Sequence, residues 1–200
     1  MQTAQDILDT WFRDEASGKM DVPQGKRWFM GGKALDDSLT VHYSDVLNAA
    51  GKGHLDDWLD SPEGALALIV LMDQFNRNIN RGTAAAFALD SKALRACKHA
   101  LANGYDTTLP ITQRVFCYLP LEHDETLASQ SASVELFRML TDIAPPELEE
   151  FTRSTLEYAL DHQAIIERFG RYPHRNAVLG RTSSPEEIDW LEKENKRFGQ

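Results

Sequence analysis

Long apolar runs are missing from this 200-residue sequence: the longest, Ala65 to Met72, is eight residues. A bilayer-spanning helix needs about 20, so no membrane partner is expected. Cysteine is scarce. Cys97 and Cys117 have no metal-ligand spacing and fall in helical stretches, which predicts two reduced, half-buried thiols. A basic surface is missing too: the formal net charge is −10, which argues against nucleic acid or an anionic membrane bound over a broad face. Gly-x-Ser-x-Gly, glycine-rich phosphate loops and dinucleotide fingerprints are absent, and neither cysteine has an assigned histidine partner. No cofactor is expected. Met1 to Phe12 holds acids and neither a basic nor an apolar stretch, so no signal peptide and a cytoplasmic location are expected.

What is present is helical periodicity, and no alternating run is long enough for a strand. The length suits one domain, residues 1–200. Ile7, Leu8, Trp11 and Phe12 mark a first short amphipathic helix. Gly18 to Gly32, with Pro23, reads as a long surface connection pinned to the core by Trp28 and Phe29. Leu35, Leu39, Tyr43, Val46 and Ala50 recur at helical spacing. Ser61-Pro62-Glu63 then starts a helix that is apolar nearly all round from Ala65 to Phe75 and must be central. A fourth helix is expected from about Ala84 to Asn103, stopped by Gly104. Leu109 to Leu121 is an apolar segment interrupted by Pro120, and Leu127, Val134, Phe137 and Thr141 share a sixth helix face. Phe151, Thr155, Tyr158, His162, Ile165 and Phe169 form a stripe with alternating steps of four and three, ending at Gly170. Ser184-Pro185-Glu186-Glu187 is a capping box opening the last helix. The expected fold is all-α, an array of about eight helices in antiparallel hairpins, without a legible repeat.

Three polar segments break the amphipathic pattern. Asp73 to Thr83 ends the central helix with Arg77 and Arg81. Tyr118 to Glu125 contains Glu122 and His123. Arg168 to Asn176 contains Arg171, His174 and Arg175, and Leu179-Gly180-Arg181 follows. Between Ile165 and Thr182 there are four arginines and one acid, Glu167. A locally cationic patch on an acidic chain attracts small anions, and arginine suits planar contact with carboxylate or phosphate. The competing reading is structural: arginine and histidine cap helix C-termini, and Asp73 or Glu122 could pair with Arg77 or Arg175 in an ion-pair lattice.

His162 lies on an otherwise apolar stripe, either as a core histidine satisfied by one hydrogen bond or as an acid/base facing a cleft. Glu122 and His123 are adjacent, so on a helix their side chains diverge by about 100° and cannot pair side by side. Glu122, His123, His162 and His174 make a metal set on paper, but no two have a local ligand spacing, and no metal is expected. Gln130, on the sixth helix's apolar face, fits a buried amide as well as a site residue.

Asp73-Gln74-Phe75 with Arg77-Asn78 and Arg81-Gly82-Thr83, then Tyr118-Leu119-Pro120-Leu121-Glu122-His123 with Glu125, then Arg168-Phe169-Gly170-Arg171 with Pro173-His174-Arg175-Asn176 together resemble an uncharacterised bacterial family, domain of unknown function 924. Leu179-Gly180-Arg181 and Ser184-Pro185-Glu186-Glu187 extend the resemblance over nearly the whole chain. Asn76 stands where proline is common in that family, which predicts a less rigid turn after Phe75. The resemblance implies a helical fold similar to the tetratricopeptide-like superhelix and no established activity, substrate or cofactor.

The leading expectation is therefore a pocket for a small anionic ligand, framed by Arg77, Arg81, Arg168, Arg171, His174, Arg175 and Asn176, with Asp73, Glu122 and His162 holding or polarising it. A second is a cofactor-independent enzyme, hydrolase or lyase in type, using His162 or His123 as acid/base with Glu122 and Asp73 beside them. A third is a protein-interaction module taking a peptide by its C-terminal carboxylate.

Overall fold

The computed structural model describes residues 2–14 and 17–194, and every regular element among them is helical apart from one isolated bridge between Arg13 and Met20. Helix α1 (Ala4–Phe12) is started by a capping box between Thr3 and Asp6 and buries Ile7, Leu8, Trp11 and Phe12. Helix α2 (Lys33–Gly51) follows the long connection. That connection is pinned as expected by Trp28, which is buried and donates its indole N–H to the Trp11 carbonyl at 2.8 Å. Phe29 is 39% exposed, yet its ring stacks on that of buried Phe116 with centroids 6.0 Å apart.

Helix α3 (Pro62–Ile69), capped by Ser61, is the centre of the molecule. It continues through a π-wound stretch, Val70–Phe75, into α4 (Asn76–Ile79). No residue from Gly64 to Asn76 leaves the buried class, the burial that an all-round apolar surface demands. Helices α5 (Asp90–Ala102), α6 (Ile111–His123), α7 (Leu127–Ile143) and α8 (Glu149–Phe169) then pack each on the next. Their connections are short, which favours reversal of direction. Helix α9 (Pro185–Glu194) closes the described chain. With α3 and α4 taken as one continuous rod, the described residues form eight helical rods.

The fourth helix starts later than its pattern suggests. Ala84–Phe87 forms a separate 3₁₀ turn, and the α-helix begins at Asp90. The reason is Asn76, whose side-chain amide donates to the Ala85 and Ala86 carbonyls at 2.9 and 3.0 Å. Those carbonyls are the acceptors a longer helix would need. Asn76 thus sits in continuous helix and anchors the next loop, where the family comparison led to a looser turn.

The core is an aromatic cluster under the central rod. Phe116 meets Phe12 and Trp28 with ring centroids 5.3 and 4.9 Å apart, and Trp11 meets Phe75 at 5.5 Å. Cys97 and Cys117 are free thiols, both fully buried, against an expectation of half-burial. A second, smaller cluster of Ile165, Ile166, Tyr172 and Trp190 seats α9 on the end of α8.

Candidate functional site

The π-wound stretch is where the central rod turns polar. Extra residues per turn rotate the face that each side chain presents, and such insertions often mark sites. Asp73 lies within it and is 1% exposed. One turn on, Arg77 donates from Nη2 to Asp73 Oδ1 at 3.2 Å and to Asp90 Oδ1 at 3.0 Å. From α6, His123 brings Nδ1 to 2.7 Å of the same Asp73 oxygen. The carboxylate can only accept, so Nδ1 carries the proton and Nε2 is left for a molecule in front of the ring.

Arg175 closes a circuit behind His123. Its Nη1 donates to the His123 carbonyl at 3.0 Å and lies 3.5 Å from Asp90 Oδ2. Its guanidinium is stacked on Tyr172 and Phe87, 4.4 and 4.8 Å from the ring centroids. Asp73, Arg77, Asp90 and Arg175 therefore hold His123 from the ring side and the backbone side together. The Gln130 amide nitrogen is buried against the end of α6, 2.8 Å from the Glu122 carbonyl and 2.9 Å from Tyr172 Oη. It holds the helix end that carries Glu122 and His123.

Glu122 points elsewhere. Its Oε1 lies 3.3 Å from His162 Nδ1, which donates to the Tyr158 carbonyl at 2.8 Å. Burial pushes the Glu122 carboxyl up to about 8, with the Asp73 charge adding to the effect, so at neutral pH it is mostly a neutral acid. Burial alone would raise Asp73 as well, but His123 and Arg77 overcome it and hold Asp73 well below the usual carboxylate range. Burial, then Arg77, holds His123 below its ordinary value, and burial lowers His162 further. At pH 7 the site thus contains a fixed carboxylate, a neutral imidazole and a protonated carboxyl.

Glu122, His123 and His162 line a cavity of about 620 Å³, and Asp73 reaches it only through His123 and Arg77. The central rod and its end supply Gln74, Arg77, Asn78 and Arg81. Helix α6 supplies Leu119, Glu122 and His123. Helix α8 supplies Thr155, Glu157, Tyr158, Asp161 and His162, and the connection before α2 supplies Trp28, Phe29 and Gly31. Glu122 and His123 diverge as helix neighbours must, one toward His162 and the other toward Asp73. Both still line the cavity. Arg81 is fixed at the wall by Asp36, which accepts from its Nε at 2.9 Å, and by Asn78.

The structure brings Asp73, Arg77, Arg81, Glu122, His123 and His162 together, and Arg175 stands directly behind them. His174 packs its ring 5.4 Å from that of Tyr172, and burial, with Arg175 beside it, takes its imidazole down to about 3. The remaining predicted residues lie at α9. Arg168 pairs with Glu186 at 2.8 Å and Arg171 with Glu187 at 2.7 Å, while the Asn176 amide donates to Ser183 Oγ at 3.0 Å. Among the described residues no three His, Cys, Asp or Glu side chains are grouped as metal ligands. Sequence reasoning missed Asp90 and Asp36, which read as ordinary acids in the first turns of α5 and α2, and Glu157 and Asp161, which read as an ordinary solvated face. Asn78 carried a signal, since it lies inside a quoted motif.

The family described as bacterial protein of unknown function (DUF924) matches residues 7–195. The chain belongs to that DUF924 family. A solved structure of a protein of unknown function from Agrobacterium tumefaciens is similar, with a TM-score of 0.81 and 36% identity, covering 95% of this chain and 97% of that one. No curated protein matches. In this DUF924 chain the first two motifs build the cavity wall, and the third lies behind it and secures α9. Arg181 completes that brace with a two-pronged contact to Glu125, at 2.7 and 3.0 Å. No helix among the described residues is long and apolar enough to cross a membrane.

Proposed function

We propose that this protein is a cofactor-independent enzyme that moves protons on a small molecule bound in the cavity, with His123 as base and Glu122 as acid. The observation that carries the reading is the 2.7 Å contact from His123 Nδ1 to Asp73, with the same ring lining the cavity. A carboxylate that fixes one imidazole nitrogen leaves the other oriented as a proton acceptor. Glu122 stands ready in the opposite protonation state, and two groups with divergent pKa values are the pattern of an acid–base pair. Arg77 and Arg81, one turn apart on the same wall, supply the subsite for an anionic group on the bound molecule. Arg168, Arg171, His174, Arg175 and Asn176 support the wall and do not touch the ligand in this reading. The scaffold is tetratricopeptide-like in the stacking of α5 to α8, and the setting is cytoplasmic.

The test is a screen of small esters, amides and β-substituted carboxylic acids for turnover, repeated with His123→Gln. A drop of roughly 10²–10⁴-fold with unchanged helix content is expected. Nitrogen NMR should find His123 neutral at pH 7 with its proton on Nδ1. A proton on Nε2, or turnover untouched by His123→Gln, overturns the reading.

A second reading is supported by the arginine pair: binding of a small anionic metabolite, or of a peptide carboxylate, without chemistry. It predicts binding that Arg81→Gln weakens and no turnover in any assay.

A further inference from the structure

The arginines of the cavity are already paired within its wall, Arg77 with Asp73 and Asp90, and Arg81 with Asp36 and Asn78. What distinguishes the space is a change of polarity along its length, carried by α6 and α8 together. On α6, Phe116, Leu119 and then Glu122 and His123 follow at steps of three or four and so share a side of the helix. On α8, Phe151, Thr155, Tyr158 and His162 do the same. Trp28 bridges the first members, its ring centroid 4.9 Å from that of Phe116 and 6.0 Å from that of Phe151. Glu122 and His162 bridge the last, at 3.3 Å. The two helices therefore run in the same direction, and the cavity beside them is apolar at one end and carries the acid and the base at the other.

The apolar end suits a flat ring. Phe29 stacks on Phe116 with 3° between the ring planes, and Phe116 is itself packed against Phe12 and Trp28. Phe29 is thus fixed from behind, yet it lines the cavity and stays 39% exposed. A further ring placed against it extends an aromatic stack and gains beyond the area it buries. Large apolar side chains left open beside a cavity of about 620 Å³ mark surface that a small molecule covers. The helical rise puts Leu119 about 6 Å and Phe116 about 10 Å along α6 from His123, so a short chain joins a ring at this end to a group at the other. There the neutral Glu122 carboxyl donates and the His123 ring accepts, which the carbonyl and N–H of an amide match.

We infer that the apolar end is a subsite for an aryl group, and that the substrate is an arylalkyl amide or ester whose carbonyl reaches Glu122 and His123 while its ring covers Phe29 and Leu119. This deepens the proposed acid–base site, on which it rests, by naming its substrate class.

The experiment is calorimetric and NMR titration of the full chain with 4-phenylbutanamide, with octanamide, whose alkyl chain has a similar apolar area, and with butanamide, which lacks the apolar group. The aryl amide should bind at least tenfold more tightly than butanamide and about two- to tenfold more tightly than octanamide. Overhauser contacts should join its ring protons to the Leu119 methyls. Phe29→Leu removes the aromatic face and keeps an apolar side chain. It should bring 4-phenylbutanamide and octanamide to equal affinity, and retained octanamide binding shows that the cavity is intact. Absent binding of the aryl amide, no preference over octanamide in the natural chain, or a preference that survives Phe29→Leu overturns the inference. Ring contacts elsewhere than Leu119 overturn it as well, whatever the variant does. The two claims fail separately, because the aryl preference should survive His123→Gln. Aryl preference without turnover of 4-phenylbutanamide or its ethyl ester counterpart sinks the acid–base reading alone, and His123-dependent turnover indifferent to the ring sinks this inference alone.

Discussion

Asp73 and His123 meet at 2.7 Å although they sit on different helices, one buried in the central rod and the other in the last turn of α6. Asp73 Oδ1 also accepts from Arg77, so the aspartate is shared between a fixed cation and an imidazole that can change charge. Asp73→Asn removes the charge that favours protonated His123. The His123 pKa should fall further below its ordinary value, followed by nitrogen NMR. Turnover should fall by roughly 10²-fold or more as the ring loses its fixed tautomer. A His123 pKa unchanged in Asp73→Asn would show that the contact has no electrostatic role.

Stability should pass through a maximum near pH 6.5. His123, His162 and His174 are held below 6.5 by burial, His174 at about 3. Below 6.5 the unfolded chain therefore binds protons that the native chain refuses, and stability is lost as the pH falls. Glu122 acts in the other sense, keeping a proton from 4.5 up to about 8 that the unfolded chain has released. Its contribution is complete below 4.5 and is lost as the pH rises to about 8. Three histidines outweigh one glutamate below 6.5, and above it the glutamate dominates. Glu122→Gln should flatten the alkaline limb by about 1 kcal/mol per pH unit, and His174→Gln should soften the acid limb. Denaturant melts from pH 4 to 9 check both.

Arginines of the third motif should divide sharply in their effect on stability. Arg175 is buried and holds both Asp90 and the His123 carbonyl. Arg175→Met leaves the half-buried Asp90 carboxylate with one partner fewer and the His123 carbonyl without its guanidinium donor, and should cost about 3 kcal/mol. Arg168 and Glu186 are about half exposed, so Arg168→Ala should cost under about 1 kcal/mol. Urea denaturation of the two variants distinguishes a brace from a surface pair.

Gly31 should resist substitution. Its φ of 54° with ψ of −142° lies outside the regions open to other residues, and a Cβ there would stand 2.9 Å from Arg81 Nη2. Gly31→Ala should destabilise by about 1–3 kcal/mol and displace the Arg81 guanidinium. Thermal denaturation reads the first effect, and weaker binding of a free carboxylate reads the second.

The helices were legible because each leaves a local record. Ser61-Pro62-Glu63 and Ser184-Pro185-Glu186-Glu187 announce starts, Gly104 and Gly170 announce ends, and both glycines adopt the left-handed φ expected there. The stripe of α8 was also readable, although Thr155, Tyr158 and His162 face the cavity while Ile165 packs beside α9. One periodic face can serve two neighbours, and spacing does not say which. The late start of α5 was hidden because Asn76 captures its carbonyls from another helix.

By itself the sequence determined the all-helical class, the central rod and the concentration of polar groups at three helix ends. Those properties depend on residues three or four apart, or on a cap and its first turn. Only the tertiary structure decided how the ends divide the work. The arginine-rich third motif, the most conspicuous by charge, became a brace, because Arg171 and Arg175 find Glu187 and Asp90 across long stretches of chain. The cavity went instead to Arg77, Arg81, Glu122, His123 and His162, with acids of α8 whose spacing gave no warning. Ion pairing and desolvation act through space, so the protonation states that define the site exist only once Asp73, Glu122 and the histidines are buried together.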